Sequence, residues 1–214
     1  MNVLTNLVFL VDDDAPVRRS LERLLRSAGY VVEAFPSALQ FLASGRHAGA
    51  TACLVLDVRM PDLDGLELQR ELNRADAALP IVFISGHGDV PTSVKAMKAG
   101  AVDFLAKPVH ADVLFAAVER AHARAVAERA VRDELESIRT LARHLTPREH
   151  QVMQLVVTGR LNKQIADELG ASEKTIKIHR ARVMEKMEAR SLPELVRLAT
   201  RLGVPDVADF RPRP

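Results

Sequence analysis

Residues able to do chemistry gather in two parts of this sequence. In the first half, Asp12, Asp13 and Asp14 follow one apolar run, Asp57 ends another, and Ser85 and Lys107 close two more. Each is ordinary alone: an aspartate at a strand end is commonly a helix cap or turn residue. Brought together, they would form a site. Carboxylates held close repel one another unless a cation compensates, and hard oxygen donors with room for water suit Mg²⁺. With a hydroxyl from Ser85 and a fixed ammonium from Lys107, such a set could bind a phosphoryl group. A carboxylate would attack phosphorus while metal, lysine and hydroxyl stabilise the charge on its equatorial oxygens. The second part is a basic C-terminal stretch: residues 146 to 214 carry 13 Lys/Arg against 9 Asp/Glu, whereas residues 1 to 110 carry 11 against 13. That balance favours a polyanionic partner only weakly, because an ordinary solvated surface reads the same way.

Convergence of the first set depends on the elements beneath it. Five apolar runs, LVFLV (7–11), VVEAF (31–35), ACLVLD (52–57), PIVFIS (80–85) and VDFLA (102–106), alternate with helical patterns. Examples of the latter are Val17, Leu21, Leu24, Leu25 and Ala28, then Leu66, Leu68 and Leu72, then Val94 and Met97. Strands alternating with helices predict an α/β, five-stranded parallel, doubly wound sheet covered on both faces, with the runs at 7, 52 and 80 central. In such a sheet ligands bind beyond the carboxyl ends of the strands, where strand order reverses, and there Asp12, Asp13 and Asp57 could meet.

From Asp112 no Gly or Pro interrupts the chain until Pro147. Leu114, Val118, Ala121 and Ala125 form one helical stripe, and Val131, Leu135, Ile138, Ala142 and Leu145 form a second, one residue out of phase. The second stripe is available for a coiled-coil-like contact or for packing on its own chain. Thr146-Pro147-Arg148-Glu149 then supplies an N-cap, a proline at the first helical position and a capping-box glutamate, which opens a new domain. Helices are predicted at 147–158, 162–169, 173–188 and about 192–202, with Gly159 and Gly170 after helix ends and Asn162 and Ser172 as N-caps. The second and third make a helix-turn-helix, a separate all-α domain joined to the first by a long helical linker. At 100° per residue, Ile176, His179, Arg180, Val183 and Met187 share an inward face. Lys174, Lys177, Ile178, Ala181 and Arg182 point outward, where Lys and Arg could meet phosphates or guanine edges and Ile178 a thymine methyl. His179, beside the inward face, reads more readily as a structural hydrogen-bonding residue than as a base reader.

Composition narrows the setting. No run approaches the roughly 18 apolar residues of a membrane span, and the first ten residues show no basic n-region or small-residue cleavage site, so neither membrane insertion nor secretion is expected. The single cysteine, Cys53, lies inside an apolar run and reads as a buried, inert thiol; no disulfide or zinc framework is available.

At these residues the sequence resembles known families. VDDD after the first strand, LDVRMPDLDG around Asp57, ISGHGD after the fourth strand and DFLAKP around Lys107 resemble the receiver domain of two-component response regulators. LTPRE at 145–149, NKQIA at 162–166 and TIKIHR at 175–180 resemble a LuxR-type helix-turn-helix domain. Together they indicate the NarL/FixJ branch, and GHGDV at 86–90 leans toward FixJ. The resemblance implies residues 1–121 as receiver, 122–144 as helical linker, 145–203 as DNA-binding domain and 204–214 as tail. It implies Asp57 as phosphoacceptor, Asp12, Asp13, Asp57 and the backbone carbonyl of Arg59 around Mg²⁺, and Ser85 and Lys107 on the phosphoryl oxygens. Ser85 and Phe104 would be the switch pair, where threonine and tyrosine are common variants. Lys174, Thr175, Lys177, Ile178 and Arg182 would meet DNA, while Ala181 stands where related domains often carry a longer polar side chain. By the same pattern Asp14 caps the following helix. Arg59 and His87, two residues beyond Asp57 and Ser85, could flank attacking water and modulate aspartyl-phosphate lifetime, while His87 reads equally as a plain loop residue. The expected protein is a cytoplasmic transcriptional regulator, phosphorylated by a cognate sensor histidine kinase, that dimerises and binds double-stranded promoter DNA. It is no enzyme beyond Mg²⁺-dependent self-phosphorylation from a donor and slow autodephosphorylation. The rivals are a receiver-based protein-interaction module whose C-terminal helices serve assembly, and a phosphatase-type enzyme sharing the strand-end carboxylates.

Overall fold

The computed structural model describes residues 6–46, 51–77, 79–86 and 90–204. The chain divides into two compact units, Met1–Ala130 and Val131–Pro214, a division that falls within the stretch expected to be the linker.

In the first unit the five apolar runs are strands: β1 (Leu7–Val11), β2 (Val31–Phe35), β3 (Ala52–Asp57), β4 (Ile81–Ser85) and β5 (Asp103–Ala106). All pair in parallel, in the order β2-β1-β3-β4-β5, so β1, β3 and β4 are central as expected. Because side chains alternate along a strand, each strand feeds two cores. Phe9, Val11, Leu54, Leu56 and Phe83 face one side of the sheet, where Ala38 and Phe41 of α2 (Ala38–Ser44), Leu68 and Leu72 of α3 (Gly65–Arg74) and Ala96 of α4 (Val90–Lys98) cover them. Val8, Leu10, Cys53, Val55, Val82 and Ile84 face the other, beneath Leu21 and Leu25 of α1 (Ala15–Ser27) and Leu114, Val118 and Ala121 of α5 (Ala111–Arg143). Cys53 is buried and its thiol is pushed up to about 12 by that burial, in keeping with an inert core residue.

Two features differ from the sequence reading of this unit. The seven-residue α2, started by the Ser37 side chain accepting from the Gln40 amide, is too short to show a helical period. In α4 the apolar pattern does not mark the packed face: Ala96 is its buried residue, while Val90, Val94 and Met97 are exposed.

The second unit packs around Val152, Met153, Val156, Ile165, Ile176, Val183, Met187, Leu195 and Ala199. Its helices are α6 (Pro147–Val157), α7 (Asn162–Leu169), α8 (Glu173–Lys186) and α9 (Leu192–Arg201). The capping box holds as read, Thr146 and Glu149 each accepting the other's amide. Ile138 is buried in this core, with Leu141, Ala142 and Leu145 packed against it. The C-terminal part of the second α5 stripe, Ile138, Ala142 and Leu145, therefore packs on its own chain, while Val131 at its start is exposed. Asn162 is not the N-cap of α7: Leu161 holds that position, and the Asn162 side chain instead accepts from Arg180 Nη1 at 3.2 Å. Gly170 ends α7 with φ of 60°, a left-handed conformation glycine adopts at no steric cost. Glu188, at φ 52°, stops α8 two residues before the expected end.

Candidate functional site

The chain leaves β1 to one side for β2 and returns to place β3 on the other, so the strand order reverses between β1 and β3. A crevice forms there at the carboxyl ends, the place where this class of sheet binds ligands. Asp12 and Asp13 follow β1, Asp57 ends β3, Ser85 ends β4, and Lys107 follows β5. Asp12, Asp57 and Ser85 are buried, Asp13 is exposed, and Lys107 lies between.

The three carboxylates converge, each offering one oxygen within 4.8 Å of the others. Lys107 Nζ donates to Asp12 Oδ2 at 2.8 Å and to Asp57 Oδ2 at 2.9 Å. Burial raises the Asp12 carboxyl above its ordinary range, against the pull of Lys107. For Lys107 burial pulls downward, but hydrogen bonds to Asp12 and Asp57 outweigh it and hold the ammonium above its usual value. Among the described residues Lys107 pairs with two of the three carboxylates, Asp12 and Asp57, which leaves negative charge for a further cation to compensate. Hard oxygen donors, one of them open to water, are a donor set that fits Mg²⁺.

The surrounding loops are held by specific bonds. Asp14 caps α1 by accepting from the Val17 amide at 3.1 Å, the role the sequence assigns it. Its own amide donates to Asp12 Oδ1 at 2.9 Å. Arg18, which the sequence reading passed over, donates from Nη1 to the carbonyls of Asp12 at 2.6 Å and Asp13 at 3.3 Å. Behind Asp57, the Gly65 amide donates to the Val58 carbonyl at 3.0 Å, and α3 presses so close that a Cβ on Gly65 would sit 2.3 Å from the Asp57 carbonyl oxygen. The Lys107 amide donates to the Ser85 carbonyl at 2.8 Å, tying β5 to β4 at the rim. Phe104 packs on the first core, its ring centroid 6.0 Å from that of Phe83. Arg59 is exposed, and His87 lies outside the described residues.

In the second unit the wheel's faces separate: Ile176, Val183 and Met187 are fully buried and His179 and Arg180 half buried, while Lys174, Lys177, Ile178, Ala181 and Arg182 are exposed, as is Thr175. Ile178 is 47% exposed, unusual for a large apolar side chain with a core nearby. His179 is half buried with its Nδ1 enclosed and unbonded among the described residues, so the expected structural hydrogen bond is not seen at that atom. Two contacts that periodicity alone cannot show hold α8. Arg180 reaches Asn162 at the start of α7, and Lys186 Nζ donates to buried Glu149 at 2.6 Å. That ion pair and the Thr146 amide hold the Glu149 carboxyl down to about 2.

Comparisons with known proteins agree for both units. Residues 8–119 match the family described as response regulator receiver domain, and residues 143–199 match bacterial regulatory proteins of the luxR family. Nodulation protein W of Bradyrhizobium diazoefficiens is 50% identical over 202 residues, covering 92% of this chain and 87% of its own. Transcriptional regulatory protein FixJ of Rhizobium meliloti is 47% identical over 192 residues, 90% of this chain and 94% of its own. Among solved structures, the response regulator StyR aligns with a TM-score of 0.79 at 47% identity, over 91% of this chain and 98% of that one. Full-length FixJ from B. japonicum aligns with a TM-score of 0.56 at 44% identity, over 94% and 98%.

Proposed function

Because this chain belongs to the response regulators that join a receiver domain to a LuxR-type DNA-binding domain, we propose that it is a transcriptional regulator switched by phosphorylation of Asp57. The observation that carries this reading is the strand-end cluster, three carboxylates and one ammonium meeting where the sheet order reverses.

Asp12, Asp13, Asp57 and the Arg59 carbonyl would hold Mg²⁺, which when bound supplies positive charge opposite the phosphoryl oxygens. The donor is a phosphohistidine on a cognate sensor kinase. A carboxylate oxygen of Asp57 attacks phosphorus, an O–P bond forms as the N–P bond breaks, and the imidazole leaves. Lys107, already held to Asp57 Oδ2, stabilises charge on the transferred group, and the Ser85 hydroxyl donates to it. Water later cleaves the acyl phosphate, returning Asp57 and inorganic phosphate; Arg59 and His87 tune that lifetime. Ser85 and Phe104 relay the change to the output face.

The output is a dimer. Val90, Val94 and Met97 lie at i, i+4 and i+7 along α4, and Val90 is 74% exposed, an apolar face next to β5 that supports pairing with a second copy. Lys174, Thr175, Lys177, Ile178 and Arg182 then enter the major groove of double-stranded promoter DNA at paired half-sites. Binding to promoter DNA supports a cytoplasmic setting for this switch. Beyond accepting and slowly losing its own phosphoryl group, the chain turns over no substrate.

Sedimentation of the full chain with Mg²⁺ and a small phosphodonor tests the switch. Wild type should shift from monomer toward dimer and Asp57→Asn should not. A variant that dimerises as readily as phosphorylated wild type would refute the dependence on Asp57.

A further inference from the structure

We infer that Arg18 is a positioning residue for the divalent-cation site, acting through the backbone that carries Asp12 and Asp13. This rests on the Mg²⁺ reading above. A side chain bonded to backbone carbonyls would thereby set how well the carboxylates hold the ion.

One guanidinium nitrogen of α1 meets two consecutive carbonyls, those of Asp12 at 2.6 Å and Asp13 at 3.3 Å. The peptide between Asp13 and Asp14 is then fixed at both ends. Its carbonyl accepts from Arg18 while its amide donates to Asp12 Oδ1 at 2.9 Å. Carbonyl and amide point in opposite directions across a trans peptide, so turning that plane breaks both bonds together. The other Asp12 oxygen is held by Lys107 at 2.8 Å, and the Asp12 amide donates to the Phe35 carbonyl at 3.3 Å. Arg18 therefore closes a ring of bonds that orients the buried carboxylate and sets the loop from which exposed Asp13 projects. Groups that orient metal ligands from behind typically change affinity by about 10- to 100-fold when removed.

Charge alone predicts the opposite sign. A guanidinium near a cation site repels the cation, so removing it should tighten binding; removing an orienting contact should weaken it. Arg18→Leu keeps helix propensity and drops the donors. Arg18→Lys keeps the charge but lacks the planar fork. Arg19→Leu removes the same charge one residue further along α1, from an exposed position.

Mg²⁺ titrated calorimetrically into the full-length chain gives the affinity directly, with the rate of phosphorylation by a small phosphodonor against Mg²⁺ concentration as second readout. Arg18→Leu should weaken Mg²⁺ about tenfold, Arg18→Lys by less, and Arg19→Leu should stay within about twofold. The Mg²⁺ concentration for half-maximal rate should rise in step while the rate at saturating Mg²⁺ stays near wild type. A loss of fold would lower that limiting rate instead. Tighter or unchanged binding in Arg18→Leu, or a fall in limiting rate with no shift in midpoint, overturns the assignment. A wild type that binds no Mg²⁺ overturns the metal reading itself, and this inference with it.

Discussion

Replacing Gly65 with alanine tests whether α3 and β3 are packed so tightly that Asp57, the proposed phosphoacceptor, depends on a missing side chain. The added Cβ would lie 2.3 Å from the Asp57 carbonyl oxygen, 3.2 Å from its carbonyl carbon and 3.1 Å from Phe83 Cε1. The Phe83 ring can rotate slightly, but Asp57 is the last residue of a buried central strand and cannot retreat freely. Ordinary contact begins near 3.4 Å, so α3 or the end of β3 must move by about 1 Å, and overpacking of this kind costs about 1–3 kcal/mol. At this domain size each kcal/mol lowers the melting point by about 4 °C. Because the displaced backbone carries Asp57, the proposed nucleophile, phosphorylation should slow by about tenfold or more even where the fold is intact. Urea unfolding and thermal melting give the first quantity, and the initial rate with a small phosphodonor at saturating Mg²⁺ gives the second. Gly86→Ala is the steric control: its Cβ would meet nothing within 4 Å, and stability should stay within about 0.5 kcal/mol. A Gly65→Ala protein that melts with wild type and phosphorylates at its rate would refute the close approach as a constraint on the site.

Three further outcomes follow from other parts of the molecule. His122 is 8% exposed, stacks on Tyr30 at 5.5 Å, and finds no hydrogen-bond partner at either nitrogen among the described residues. Burial lowers its pKa, so below the ordinary value of 6.5 the unfolded chain binds a proton that the folded one refuses. Receiver stability should fall as pH drops from 6.5, and His122→Phe should flatten that limb in urea titrations between about pH 6.5 and 5; an unchanged slope counts against it. Glu149 behaves as a paired acid, held to about 2 against an ordinary 4.5, so its stabilisation is present above 4.5 and lost as pH falls toward 2. Glu149→Gln should cost the C-terminal unit about 2 kcal/mol at neutral pH and remove that acid limb, as read by thermal melts. On α8, Lys177→Ala should weaken binding to all duplexes and reduce the salt slope by about 1, whereas Ile178→Ala should relax preference at one base pair with the slope unchanged. Equal slopes for Lys177→Ala and wild type would remove Lys177 from the phosphate contacts.

The sheet was legible because its signal is local. β1 and β3 coincide with the apolar runs, since a central parallel strand is buried on both faces and reads as an unbroken hydrophobic stretch. Caps were legible for the same reason: Asp14, Ser172 and the Thr146–Glu149 box each involve a side chain and an amide three residues away. Asp57, Asp12 and Lys107 were found because strand ends carry them to one rim. What stayed hidden depends on contacts between distant segments. Arg18 acts on carbonyls, which no residue pattern displays. Gly65 matters for the space its absent side chain leaves against β3. The exposure of Val90, Val94 and Met97 reverses the usual reading of an apolar helical stripe as core, and Glu149 bonds Lys186 across 37 positions of sequence.

Footprinting of genomic DNA by the full-length chain tests most directly whether phosphorylation of Asp57 governs DNA binding. Three samples suffice at fixed salt and Mg²⁺: wild type alone, wild type with a small phosphodonor, and Asp57→Asn with the same donor. The expected result is protection of paired half-sites that strengthens with the donor in wild type and does not respond in Asp57→Asn. Equal protection in all three would contradict the account.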